Sequence, residues 1–128
     1  MQELYRQEWV KGFVKHHSGA SKLELKKKGK ILQGYYKHTS FQPFFVYSED
    51  FSLILPYIKK AKYLLTHFSE ENLNLIEKNW PELSRNKDII LCLIDFNTEN
   101  YALLKPFAHS LIVEKENIKK SIKGLMSP

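Results

Sequence analysis

Glu24-Leu25-Lys26 is the stretch of this chain whose residue types and spacing are best suited to chemistry. Alternate residues of an extended strand share a face. Glu24 could therefore ligate Mg²⁺, which takes oxygen donors, while Lys26 steadies a phosphate or a water. The surroundings are rich in lysine: Lys22, Lys26, Lys27, Lys28 and Lys30 follow closely on Lys11 and Lys15. Such lysines can straddle phosphates, and Tyr35, Tyr36 or His38 could offer a ring on which a base stacks.

The Glu-x-Lys spacing is similar to that of metal-dependent nucleases of the restriction-enzyme-like class. Their pattern also needs an acidic residue on an upstream strand. Before Glu24 only Glu3 and Glu8 are acidic, and both fall in a predicted helix. One of the later carboxylates, such as Asp95 at the end of an apolar run, would have to serve. A nuclease or phosphodiesterase built on Glu24, Lys26 and Asp95 is thus the enzymatic alternative, and only that alternative calls for Mg²⁺. No zinc site is indicated, because His16, His17, His38, His67 and His109 form no i, i+4 pair and have no cysteine beside them. No glycine lies between residues 35 and 123, where the strand-to-helix turns are expected. A pyrophosphate or triphosphate cradle normally places glycine at such a turn, which argues against dinucleotide and P-loop chemistry. No G-x-S-x-G nucleophile turn occurs either.

The elements that must position these residues can be read from periodicity. Residues 2–16 predict an amphipathic helix with Tyr5, Trp9 and Phe13 at i, i+4, i+8 and Val10 and Val14 beside them. Arg6, Lys11 and Lys15 fall off that stripe, and Gly19 suits a left-handed cap. Residues 22–37 predict a β-hairpin turning at Lys28-Gly29. Its tip would carry Lys26, Lys27, Lys28 and Lys30, and Tyr35 and Tyr36 would point to opposite faces. Strands are then expected at 44–47, 63–67, 89–96 and 111–113, and helices at 51–60, at 69–80 with Pro81 marking its end, at 98–109 interrupted by Pro106, and at 117–126 with Ile118, Ile122 and Leu125 inward. The unbroken run Ile89 to Ile94 is too short for an ordinary helix and reads as a strand buried on both faces. Residues 56–68 also fit a helix starting at Pro56; the strand at 63–67 is the preferred reading. The fold class is therefore α/β: a small parallel or mixed sheet flanked by helices, preceded by an N-terminal helix and a β-hairpin.

At a parallel sheet's carboxyl end, where ligands bind, this scheme places Ser48, Glu49 and Asp50, then His67 and Ser69, then Asp95, Asn97 and Thr98, and last Glu114 and Glu116. Asp50, Ser69, Thr98 and Asn117 are also well placed as helix caps.

Charge divides the chain. Residues 1–40 hold nine Lys/Arg against three Glu, which is +6, and residues 41–128 hold eleven Lys/Arg against eleven Asp/Glu, which is zero. The 128 residues are read as one domain, with a basic unit at 1–40 and a neutral alternating β/α unit at 41–128. The single cysteine, Cys92, lies in the most apolar run and reads as a reduced packing residue. Polar residues from Gln2 to Gln7 argue against a signal peptide, and no apolar run nears the ~20 residues of a membrane span. A cytoplasmic protein with no membrane partner is expected. The leading functional expectation is a non-catalytic module that contacts nucleic acid through Lys11, Lys15, Lys26, Lys27, Lys28, Lys30, Tyr35 and Tyr36. The other alternative is a protein-interaction adaptor or oligomerisation domain using Trp9, Tyr35 and Tyr36.

Overall fold

The chain builds one six-stranded mixed sheet whose spatial order follows its sequence order; the computed structural model describes residues 2–20, 22–36 and 42–126. Helix α1 (Gln2–Ser18) comes first and ends as its sequence predicts, with Gly19 at φ 75° and its N–H on the Lys15 carbonyl. Strands β1 (Leu23–Lys28), β2 (Ile31–Tyr36) and β3 (Phe45–Tyr47) form an antiparallel meander. Gly29 and Lys30 make the β1–β2 turn, one residue later than expected. Gly29 takes the positive φ of 61° that a two-residue hairpin of this kind asks of its first residue.

Beyond β3 the chain alternates. A short α2 (Phe51–Ile54) tightens into a single 3₁₀ turn at Leu55–Tyr57, and β4 (Tyr63–His67) follows, parallel to β3. The strand reading of residues 63–67 thus holds. Then come α3 (Glu70–Lys78), α4 (Trp80–Arg85) and β5 (Ile90–Asp95), parallel to β4. Finally β6 (Asn100–Leu104) runs antiparallel to β5, followed by α5 (Pro106–Ser110) and α6 (Ile118–Met126).

The apolar run of β5 is buried on both faces because its residues alternate between two cores. Leu91 and Leu93 join Val46 and Leu64 under Phe51, Ile54, Leu73, Ile76, Ile118 and Ile122 of α2, α3 and α6. Ile90, Cys92 and Ile94 join Leu32, Phe45 and Leu65 under Val10 and Val14 of α1. Each buried aliphatic side chain contributes roughly 1.5–3 kcal/mol.

Four expectations are corrected. Residues 98–109 do not form one helix. Asp95 Oδ1 accepts the Asn97 N–H and Thr98 Oγ1 accepts the Asn100 N–H, so local turn chemistry reverses the chain. Thr98 therefore caps no helix. Tyr101 and Leu103 then alternate with the buried Ala102 and Leu104 as a strand, and Pro106 starts a helix instead of interrupting one. Pro81 likewise sits in the first turn of α4, where no N–H is required of it, and opens a helix where it was expected to mark an end. Leu111-Ile112-Val113 is a turn after α5, not a strand; the place beside β5 is already filled by β6. Leu125, expected to face inward, is exposed, while Ile118 and Ile122 of the same helix are buried.

Candidate functional site

The β1–β2 tip, the start of α1 and the carboxyl ends of β3, β4 and β5 meet at one end of the sheet. The register accounts for this: Leu32, next to the tip, pairs with Tyr47, the last residue of β3. Helix α1 runs against the parallel strands, so Arg6 near its start reaches Glu49, just past β3, while His17 near its end reaches Tyr63, the first residue of β4. A cleft of about 640 Å³ opens between these elements, lined by Arg6, Lys27, Lys30, Tyr47, Ser48, Glu49 and Asp50 among others.

At the floor of this end the Tyr47 hydroxyl and His67 Nε2 share a hydrogen bond at 2.5 Å. Burial, and then the nearby Arg6 guanidinium, hold the His67 imidazole below its ordinary pKa. Burial pushes the Tyr47 phenol well up. With the imidazole neutral, the hydroxyl donates and Nε2 accepts. The His67 ring packs 5.0 Å from Phe96, and Arg6 lies 5.4 Å over the same Phe96 ring while its Nη1 stands 3.4 Å from Glu49. Lys27 pairs with Glu3, which draws the Glu3 carboxyl below the usual range. The cleft therefore offers cations and hydroxyls partly offset by carboxylates.

The loop bearing Ser48, Glu49 and Asp50 is held by Asn72 of α3. Its Nδ2 donates to the Glu49 carbonyl at 2.9 Å, to Thr66 Oγ1 at 3.1 Å and to the His67 carbonyl at 2.8 Å, and its Oδ1 accepts the Phe51 N–H at 2.9 Å. One buried amide thus ties the end of β3 to the end of β4, and every polar group it buries is satisfied. Asp50 and Ser69 act as the expected caps of α2 and α3.

Lys27 and Lys30 line the cleft, whereas Lys26 and Lys28 alternate with Lys27 along β1 and face the other side of the sheet. Lys26, Lys27, Lys28 and Lys30 are exposed at the tip. Gln7 lines the cleft, and Lys11 and Lys15 continue its flank of α1 at i+4 and i+8. Lys26 lies 5.0 Å over the Tyr35 ring, and Tyr35 donates to Gln33 Oε1. Tyr36, on the other face, packs on Phe44 with ring centres 4.3 Å apart. His38 lies outside the described residues.

The Glu-x-Lys residues are not joined to an acidic partner. Glu24 and Lys26 are exposed on β1, an edge strand, whereas Asp95 ends β5, four strands away. At ~4.8 Å per strand that separation is roughly 19 Å. Among the described residues no group of three or more His, Cys, Asp or Glu is placed to hold a metal ion. Of the expected carboxyl-end set, Ser48, Glu49, Asp50, His67 and Asp95 do gather on neighbouring strand ends, but Glu114 and Glu116 lie in an exposed segment past α5.

Arg6, Tyr47 and Asn72 were not singled out by the sequence. Asn72 had a signal: it lies four residues before Ile76 on the buried stripe of α3, and a polar residue in such a stripe needs partners. Arg6 had only its spacing from Trp9 and Val10. Comparison with protein-family models, with curated proteins and with solved structures finds no match. No described helix is long and apolar enough to cross a membrane.

Proposed function

We propose that this chain is a non-catalytic binding module whose basic N-terminal third contacts nucleic acid, phosphates lying along the β1–β2 tip and the adjoining flank of α1. One observation carries the reading. Among the described residues Lys11, Lys15, Lys22, Lys26, Lys28 and Lys30 make no ion pair, so their charge is available to a polyanion. From Lys22 to Lys28 the strand spans about 20 Å at ~3.3 Å per residue, room for about six phosphates of one strand at ~3.4 Å each.

The test is binding of labelled single- and double-stranded oligonucleotides at about 50 and 200 mM salt, with and without Mg²⁺. Affinity is expected to fall about a hundredfold over that range, as four or five neutralised phosphates require. The Lys26/Lys27/Lys28/Lys30→Ala variant should bind weakly and lose most of the salt dependence. Absence of binding at low salt would sink the proposal, and Mg²⁺-dependent product bands would replace it with the nuclease.

A second reading, protein contact, is favoured by a separate observation. Leu111 and Ile112 stand 72% and 82% exposed on the turn after α5, and exposed apolar groups of this kind mark contact surfaces. Trp9 and Tyr35, on which the protein-contact reading also draws, are half-buried and make internal contacts.

A further inference from the structure

Helix α1 has two unlike flanks, and between them Gly12 leaves a gap in an outward row otherwise filled by Glu8 and His16. One flank carries Lys11 and Lys15. On the other, Trp9 and Phe13 stack with ring centres 5.4 Å apart and planes 6° from parallel. Tyr101 of β6 meets both edge-on, at 6.1 and 5.0 Å, and remains 46% exposed. His17 also stacks on Phe13, with ring centres 5.7 Å apart, so the group is fixed by its own packing and Tyr101 is the ring it leaves open to solvent.

Gly12 lies between the flanks on the outward side of the helix, where 3.6 residues per turn place it roughly opposite Val10 and Val14. It is exposed, it is helical with no positive φ, and a Cβ added there would meet nothing within 4 Å. Among the described residues neither backbone conformation nor internal packing asks for glycine, and glycine weakens a helix interior. A missing side chain there leaves room for the close approach of a ligand. At this point the ridge of α1 narrows toward its backbone, whose Cα radius is only about 2.3 Å.

We propose that a single-stranded nucleic acid crosses α1 at Gly12, with phosphates on Lys11 and Lys15 and a base stacked against Tyr101, which the Trp9–Phe13 pair holds in place. This rests on the nucleic-acid reading above and narrows it from any polyanion strand to an unpaired one. Charge complementarity supplies the occupant on the lysine side, and an exposed aromatic face supplies it on the other. A duplex, whose bases are already stacked, can use the lysines but not the rings. Glu8 precedes Gly12 by one turn on the same outward side, so the strand passes on the His16 side of Gly12.

The experiment compares single-stranded DNA, single-stranded RNA and duplex DNA of equal length at one salt concentration, for the unmodified chain, Gly12→Gln and Tyr101→Ala. The unmodified chain should hold a single strand about tenfold more tightly than duplex, within the range of one stacked base. Tyr101→Ala should erase that preference and leave duplex binding in place. Gly12→Gln should raise Tm by a few degrees and lower single-strand affinity severalfold; a purely structural glycine would not move the two in opposite directions. Equal binding of single strand and duplex, with both variants silent, overturns the crossing and leaves the lysine reading standing. Absence of binding to any of the three removes both.

Discussion

Among the described residues, one face of the sheet lies under α2, α3, α4 and α6, with α5 packed against α4, while the other lies under α1 alone. The first face is almost wholly aliphatic: Val46, Leu64, Leu91, Leu93 and Leu104 meet Ile54, Leu73, Ile76, Ile118 and Ile122, and none of its buried residues titrates. The second holds Tyr47, Tyr63 and Cys92 in its buried core and Trp9, Phe13 and Phe96 half-buried at its margins. A single helix about 10–12 Å across cannot cover six strands at ~4.8 Å spacing, so the described residues close the second face only in part. The difference separates two jobs. The closed face supplies stability, and the open one leaves rings and charges at α1's borders that solvent or a ligand can reach.

The largest expected effect lies on the closed face. Leu64→Ala removes a fully buried side chain of a central strand and should cost about 3–4 kcal/mol, since packed helices on that side relax only partly into the space. Urea denaturation with an unchanged slope would measure it; a loss below about 1 kcal/mol would mean that this face is loosely filled and that the contrast is misplaced. The open face is expected to respond to the reverse change. The Phe45 ring lies directly on Gly34 across the β2–β3 pair, and a Cβ at residue 34 would occupy the ring's space. Phe45 is itself fully buried, so Gly34→Ala should destabilise by about 2 kcal/mol through overpacking. If the variant is as stable as the parent, the ring has another place to go, and the sheet beneath α1 is less tightly packed than its buried residues imply.

The closed face was also the more legible in sequence. Period-3.6 spacing in residues 70–80 and the continuous run of β5 are direct consequences of burial against helices, and both appear where expected. Legibility failed wherever a short polar segment decided the path. Asp95 to Asn100 reads equally as a helix start or a tight turn, because Asp, Asn and Thr serve both; the pairing of β6 with β5 decides it, and no local pattern records that pairing. Pro81 and Pro106 were read as breaks, though proline is as much at home in a helix's first turn. The site shows the same division. The tip lysines, Ser48, Glu49, Asp50 and His67 could be named from strand ends alone, whereas Arg6 and Asn72 matter through partners 43 and 21–23 residues away. Their roles belong to tertiary structure.

The smallest expected effect is a pH dependence confined to the open face. His67 lies on the α1 side of β4, in register with Tyr63 and Leu65, and its neighbours are the Tyr47 hydroxyl, the Phe96 ring, Arg6 and Glu49. Burial and the Arg6 charge lower its pKa in the folded chain, and Glu49 only partly opposes them. The unfolded chain, with an imidazole near the ordinary ~6.5, therefore binds the proton more readily than the folded chain does. Stability is intact above about pH 6.5 and declines as the pH falls below it, by at most ~1.4 kcal/mol per unit for one group. Protonation would also turn Nε2 from acceptor to donor and force the Tyr47 hydroxyl to reverse, beside a guanidinium that disfavours a second cation. Tm should thus drop by a few degrees between about pH 7 and pH 5.5, and His67→Gln should flatten that interval. The lowered carboxyl of Glu70, paired with Lys119 and Lys123, adds its own loss only at lower pH, below about 4.5, so the two windows separate. A Tm that stays level between pH 7 and 5.5 would show that protonated His67 is tolerated where it stands. The incomplete cover of the α1 face would then admit enough water to solvate the cation, and the open face would be more open than its buried tyrosine implies.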